Sequence, residues 1–135
     1  MLEEDLRSLG VTIGNVSPLP AAKRLMATIE MARAERPIAL LGMHYVLEGS
    51  TNGGRFIAKA LRQAYQFEGD AGTKYYDPYG DNQRVLWASY KQEFDAMEVS
   101  EDERDAMVAA ARDVFRAMSE IGDDLMALEA RAATV

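Results

Sequence analysis

Three glycines interrupt a long segment that otherwise has the composition of a helix. Gly49, Gly53 and Gly54 lie between runs of good helix formers on both sides. Each glycine costs roughly 1 kcal/mol relative to alanine inside a helix, so the set costs about 3 kcal/mol. Gly49 and Gly53 are four residues apart and therefore share one helix face. Such a break of local propensity without a turn signal is typical of a functional or close-packing site.

Two interpretations of this bare stripe of backbone follow from the sequence. The glycines allow a neighbouring helix to pack closely, or they allow a flat ligand to lie on the helix face. They also permit the helix to bend. The spacing leaves these alternatives open, because a pair of glycines four residues apart is a weak signal.

The remainder of the chain predicts further helices and therefore an all-α fold. Helical periodicity and end signals place Gly10 after the first helix, Pro20 at the start of the second and Arg36 near its end. The connector over residues 11–20 is rich in turn formers. We predict a bundle of about five helices with a glycine-kinked central helix, forming one domain over residues 1–135. The predicted helices cover residues 2–9, 20–36, 38–65 and 82–97 and a last segment that begins after Ser100.

The last helix has the clearest signals. Ser100 and Glu103 have the spacing of a capping box. Apolar residues then follow at alternating spacings of four and three, which predicts a coiled-coil-like seam. The seam consists of Met107, Ala111, Val114, Met118, Ile121, Leu125 and Leu128.

Composition limits the classes of function. The net charge of -7 disfavours nucleic acid as a partner, because phosphates would be repelled. No apolar run approaches the roughly 18 residues of a membrane span, and the acidic N-terminus does not resemble a signal peptide. The chain has no cysteine, which excludes disulfides and thiolate metal sites. We therefore expect a cytoplasmic protein that binds neither nucleic acid nor membrane.

The segment Tyr45–Gly54, with the sequence YVLEGSTNGG, resembles the distal-helix motif of biliverdin-producing heme oxygenases. It is most similar to the branch found beside bacterial phytochromes, although Asn52 stands where that branch has an apolar residue. The resemblance implies a heme oxygenase-like bundle, heme as the ligand, and oxidative opening of heme to biliverdin with oxygen and an electron donor. It also implies that Gly49, Ser50 and Gly53 face the tetrapyrrole and take part in catalysis.

The same resemblance suggests further contacts with heme. Lys91 falls where the family tends to place a basic partner for a propionate, with a solvated lysine as the alternative. Arg55 belongs to a basic stripe that is either a solvated face or a propionate-facing edge. His44 lies nearer the propionate edge, and Tyr45 and Gly54 complete the predicted cofactor-binding set.

The axial ligand of the iron has no counterpart in the segment that resembles the family. In the family it is a histidine on the first helix, ahead of the segment matched here, so the resemblance implies that the proximal helix is missing. His44 is the single histidine of the chain. On a straight helix it points about 140° away from Gly49. We retain His44 as a candidate metal ligand, with Tyr45 as a further candidate and a structural histidine as the alternative.

The sequence alone is therefore compatible with three functions. The chain is an active heme oxygenase, a non-catalytic relative that binds heme or a similar ligand as a sensor or carrier, or a helical interaction protein. A bundle without its first helix would expose an apolar face, and such faces usually mark an interface. We therefore expect a homodimer in which a partner's helix covers the gap, through the last-helix seam or the third helix.

Overall fold

A computed structural model describes residues 1–14 and 17–133, and its elements follow the predicted pattern closely. The predicted connector residues Asn15 and Val16 and the end of the predicted domain at residues 134–135 lie outside the described residues. Across the described part of the chain the structure is all-helical, which confirms the predicted fold class. The elements are α1 (Leu2–Ser8), α2 (Pro20–Glu35), α3 (Ala39–Tyr65), a single 3-10 turn (Gly80–Asn82), α4 (Gln83–Asp95) and α5 (Glu101–Ala132).

Three of the helix ends are set by the residues that the sequence indicates. Gly10 follows α1 with φ of +71°, a left-handed conformation that glycine adopts without strain. Pro20 is the first residue of α2, where its missing N–H is not needed. At the start of α5, the Ser100 hydroxyl accepts a hydrogen bond from the Glu103 N–H, and the Ser100 N–H donates to the Glu103 carboxylate. The predicted capping box is therefore confirmed.

The described chain forms two compact units. The first contains α1, most of α3, the 3-10 turn and α4, over residues 1–14 and 47–98. The second contains α2, the beginning of α3 and α5, over residues 17–46 and 99–133. The expectation of one domain over residues 1–135 stays a prediction.

The second unit has a small apolar core. Met43 of α3 and Val114 of α5 are buried there together with alanines of both helices. At Gly42 the backbones of α3 and α5 approach so closely that an added Cβ would lie 1.9 Å from the carbonyl oxygen of Met107. Glycine is therefore required at this crossing of the two helices. On α2, Leu25 and Ile29 pack against the same core.

The predicted seam of α5 is only partly buried. Met107 and Val114 face the core as expected, but Met118, Leu125 and Leu128 are exposed. Ala110 and Ala117 are also buried. The helix face that packs within the second unit therefore consists of residues 107, 110, 114 and 117. The regular apolar repeat therefore straddles two faces of the helix, of which only one is covered.

Polar groups hold the first unit together. The buried Asp5 carboxylate accepts hydrogen bonds from the N–H groups of Lys74 and Tyr75, at 3.0 and 2.7 Å. Arg62 of α3 donates to the Thr73 hydroxyl at 2.8 Å. These bonds tie the loop that follows α3 to both α1 and α3. Arg62 therefore has a structural contact within the first unit.

Candidate functional site

A cavity of about 530 Å³ lies within the first unit, between one face of α3 and residues 75–79. These residues belong to the loop between α3 and the 3-10 turn, which we call the tyrosine-rich loop. This volume falls within the range of roughly 300–1,000 Å³ that is usual for small-molecule sites. Leu47, Ser50, Gly54 and Ile57 recur at helical spacing along the α3 side of the cavity. The full lining consists of Met1, Leu47, Glu48, Ser50, Thr51, Gly53, Gly54, Ile57, Tyr75, Tyr76, Pro78 and Tyr79.

Gly53 and Gly54 have different roles in this wall. A Cβ added to Gly54 would lie 2.3 Å from the carbonyl oxygen of Tyr76, so glycine is needed for the loop backbone to approach the helix. A Cβ added to Gly53 would meet no atom within 4 Å. Gly53 is exposed and lines the cavity, so it leaves a patch of helix backbone open to a ligand.

Gly49 belongs to a neighbouring face of α3. Its added Cβ would lie 3.3 Å from the Trp87 ring of α4, a tight contact. Gly49 therefore accommodates an aromatic side chain, whereas Gly53 is open. Among the glycines of α3, Gly42, Gly49 and Gly54 lie in close packing contacts, whereas Gly53 leaves the helix backbone accessible. The interpretation that a flat ligand lies on this face stays a prediction.

Ser50 lines the cavity one turn before Gly54. Its hydroxyl donates to the Leu47 carbonyl at 2.6 Å, a backbone bond common for serine in helices. The hydroxyl oxygen keeps its capacity to accept a hydrogen bond from a ligand or from water. The structure thus places Ser50, Gly53 and Gly54 of the predicted set around one cavity.

Glu48 and Tyr79 form a polar pair in the cavity wall. The Tyr79 hydroxyl donates to the Glu48 carboxylate, and this bond together with burial and the nearby negative charge raises the pKa of Tyr79 above its ordinary value. The Tyr79 phenol therefore loses its proton at a higher pH than an ordinary tyrosine. The sequence interpretation missed Glu48 as a site residue, although its position beside Leu47, Ser50 and Gly54 on the helix was a usable signal.

Tyr75 and Tyr76 supply the opposite wall. Their rings meet edge to face with centroids 5.6 Å apart, and both are partly exposed at the cavity. The Asp5 carboxylate fixes the backbone of this loop through the N–H of Tyr75. Tyr75 and Tyr76 therefore line the cavity from a loop whose backbone is held in place.

The other predicted site residues lie elsewhere. His44 and Tyr45 are exposed on α3 and do not line the cavity. Arg55 is half-buried on α3 and does not line the cavity. Lys91 is exposed, with its ammonium 5.8 Å from the centre of the Trp87 ring, a cation–π contact. Of the predicted cofactor-binding residues, Gly54 lines the cavity and the other four do not.

Two further observations on the described residues concern metal ions and membrane spans. Within residues 1–14 and 17–133, no three His, Cys, Asp or Glu side chains come together in a group suited to a metal ion. None of the helices in that same part of the chain combines the length and apolar character needed to cross a bilayer.

The fold and the site define an all-helical protein whose long third helix places a glycine-rich turn against a small-molecule cavity. The chain belongs to the heme oxygenase family, since the family model described as heme oxygenase matches residues 1–124. The match includes residues of both compact units and confirms the family that the α3 motif resembles. Neither curated proteins nor solved structures give a match to the chain.

Proposed function

We propose that this chain binds a tetrapyrrole, with heme as the first candidate, in the cavity beside α3. The observation that carries the proposal is Gly53, whose open backbone lines the cavity of a heme oxygenase family member. A flat macrocycle can approach the helix backbone more closely at a glycine than at a residue that has a side chain. Leu47 and Ile57 offer apolar contact on either side of the glycines.

The residues that line the cavity offer more contacts for the macrocycle of heme than ligands for its iron. The cavity wall contains phenols and a carboxylate, but His44, the single imidazole of the sequence, is not one of its lining residues. Tyrosine is an established heme ligand as the phenolate. Tyr79 is disfavoured in that role, because its bond to Glu48 raises its pKa. Tyr75 and Tyr76 are therefore the candidate iron ligands within the cavity.

The proposal assigns the ligand's polar contacts to residues of the cavity. Ser50 offers an acceptor to ordered water or to the ligand, and the Tyr79 phenol is held in place by Glu48. Arg55 and Lys91, which the resemblance suggests as propionate partners, lie outside this wall. Bound heme would supply the oxygen-activating chemistry of the family, while these residues bind and orient it.

A hemin titration followed by absorption tests the proposal. Wild-type protein should give a saturable Soret shift, and Gly53→Leu should lose it because the leucine side chain enters the cavity. Ala109→Leu, on an exposed face of α5 in the other unit, is the matched control and should bind hemin as wild type does. Circular dichroism should show unchanged helix content in both variants.

His44→Ala in the same titration decides between sites. The cavity proposal predicts that this variant keeps the Soret shift. A shift lost in His44→Ala but kept in Gly53→Leu would place the iron at His44 and overturn the assignment to the cavity. The absence of any saturable shift in wild type would exclude heme as the ligand, and biliverdin titrated in the same way would then test an open-chain tetrapyrrole.

Oxidative opening of heme to biliverdin is the second candidate function. Membership of the heme oxygenase family favours it, whereas the absence of an imidazole from the cavity lining favours a sensor or carrier that only binds. Incubation of the hemin complex with a reductant and oxygen separates these two functions. Loss of the Soret band with appearance of biliverdin absorption would show turnover, and a persistent Soret band would show a binding protein.

A further inference from the structure

An exposed apolar stripe on α5 carries an inference that does not depend on the proposed function. Val108, Phe115, Met118 and Leu125 are exposed by 45, 66, 45 and 47%. With the half-buried Ala111 and Gly122 they recur at alternating spacings of three and four residues. This is the spacing of a helix face that packs along another helix. It lies beside the face that Met107, Ala110, Val114 and Ala117 bury within the second unit.

The stripe is symmetric about a point between Arg116 and Ala117. Phe115 and Met118 are equally far from this point, as are Ala111 and Gly122, and Val108 and Leu125. The next positions of the same repeat are Arg104 at one end and Glu129 at the other, also equidistant and both exposed. A surface whose two halves are related in this way can pair with itself across a twofold axis.

We propose that two copies of this chain pair through their α5 helices in antiparallel orientation along this stripe. Arg104 of each copy then meets the partner's Glu129, so that opposite charges face each other at both ends of the contact. Parallel pairing would instead bring like charges together at both ends, which is unfavourable. This charge arrangement selects a second copy of the chain as the partner, since the stripe is complementary to itself.

The side chains along the stripe fit that arrangement. Phe115 packs against the partner's Met118 at the centre, a sulfur–aromatic contact. Ala111 faces the partner's Gly122, whose added Cβ would meet no atom within 4 Å, so the two backbones can approach closely. Val108 packs against the partner's Leu125 further out. The contact extends about 38 Å along the helix at 1.5 Å per residue.

Cysteine crosslinking tests the orientation, because the wild-type chain has no cysteine to give a background. Tagged Val108→Cys is mixed with untagged Leu125→Cys and treated with a short bis-maleimide. Antiparallel pairing predicts the mixed product as the main species. Met26→Cys, exposed on α2, is the control partner and should give no mixed product with either variant. Predominant Val108–Val108 crosslinks would show a parallel contact and overturn the proposal.

Sedimentation at micromolar concentrations tests the contact itself. Wild type should sediment as a dimer, and Phe115→Glu should sediment as a monomer with unchanged helix content, because the side chain is exposed within one copy. Arg104→Glu and Glu129→Arg should each weaken dimerisation by roughly tenfold, and the double variant should restore it. A monomeric wild type, or a dimer that Phe115→Glu leaves intact, would overturn the proposal.

Discussion

Gly42 and Gly53 illustrate how two identical residues of one helix can have opposite effects on packing. Gly42 lies against the backbone of Met107, where a Cβ has no room. Gly53 faces the cavity, where a Cβ has no neighbour within 4 Å. Both weaken the intrinsic helix propensity of α3 by a similar amount. Their surroundings decide whether the methyl group of alanine would stabilise or destabilise the protein.

The alanine variants of these glycines should therefore change stability in opposite directions. Gly42→Ala should lower the free energy of unfolding by roughly 2 kcal/mol or more, because the new methyl group overlaps a backbone carbonyl that cannot move alone. Gly53→Ala should raise it by up to about 1 kcal/mol through helix propensity. Urea unfolding followed by circular dichroism measures both. Equal effects of the two substitutions would contradict the packing described for α3 and α5.

Tyr79 should titrate at a higher pH than an ordinary tyrosine. Its folded-state pKa is raised by the bond to Glu48, so the stabilisation is fully present below the unfolded-state pKa of about 10. It is lost as the pH rises through the folded-state pKa. The tyrosinate absorbance of wild type minus that of Tyr79→Phe isolates this group from the other five tyrosines.

Glu48→Gln provides the control for this titration. Removal of the carboxylate charge should move the pKa of Tyr79 back toward its ordinary value. A difference spectrum that already titrates at the ordinary pKa in wild type would show that the Tyr79–Glu48 bond does not persist in solution.

Among the elements, α5 is defined by its N-terminal cap and by the contrast between its faces. The capping box satisfies the first backbone N–H groups of a helix that runs from Glu101 to Ala132. Three acidic residues in its first turn add a favourable interaction with the helix dipole. The cap fixes where the helix begins, and packing within the second unit decides which of its residues face the core.

Removal of the cap should have a cost that a similar substitution in mid-helix does not have. Ser100→Ala should lower the free energy of unfolding by about 1 kcal/mol, because the hydroxyl that accepts from the Glu103 N–H is lost. Ser119→Ala, at an exposed position of the same helix, should be neutral or slightly stabilising. Chemical denaturation compares the two. An equal change in both variants would argue against the cap.

At the scale of the whole molecule, many of the apolar residues are not buried. Hydrophobic residues make up 48% of the chain, yet among the described residues the buried apolar side chains are mostly alanines. Many larger apolar side chains, including Phe56 and Phe115, remain exposed. A contiguous exposed apolar patch is typical of a surface that binds a ligand or a partner. The proposals made above assign part of this exposed apolar surface to a ligand beside α3 and part to a second copy of the chain along α5.

The two units should respond separately to packing defects placed in each of them. Gly42→Ala should accelerate amide hydrogen exchange in α5, near Met107. Gly54→Ala should accelerate exchange in the loop around Tyr76, whose carbonyl oxygen would lie 2.3 Å from the new Cβ. Local opening follows local packing, so each variant should leave the other segment near wild-type exchange. Identical exchange profiles for the two variants would show that the units open together.

The sequence by itself determined the elements and the family. Apolar periodicity, Gly10, Pro20 and the Ser100–Glu103 pair predicted the helices and their ends, because these signals act between residues close in the chain. The α3 motif indicated the heme oxygenase family, which the family match confirms. Ser50, Gly53 and Gly54 were predicted as site residues, and all three line the cavity; their function stays a prediction.

Only the tertiary structure decided what each of these residues faces. The sequence grouped Gly49 with Gly53, but Trp87 of α4 covers one and the cavity leaves the other open. It also treated the α5 repeat as a single seam, of which Met107 and Val114 are buried and Met118 and Leu125 are exposed. Periodicity identifies an apolar face without identifying its neighbour. That neighbour is supplied by segments distant in sequence, whose approach depends on packing across the fold.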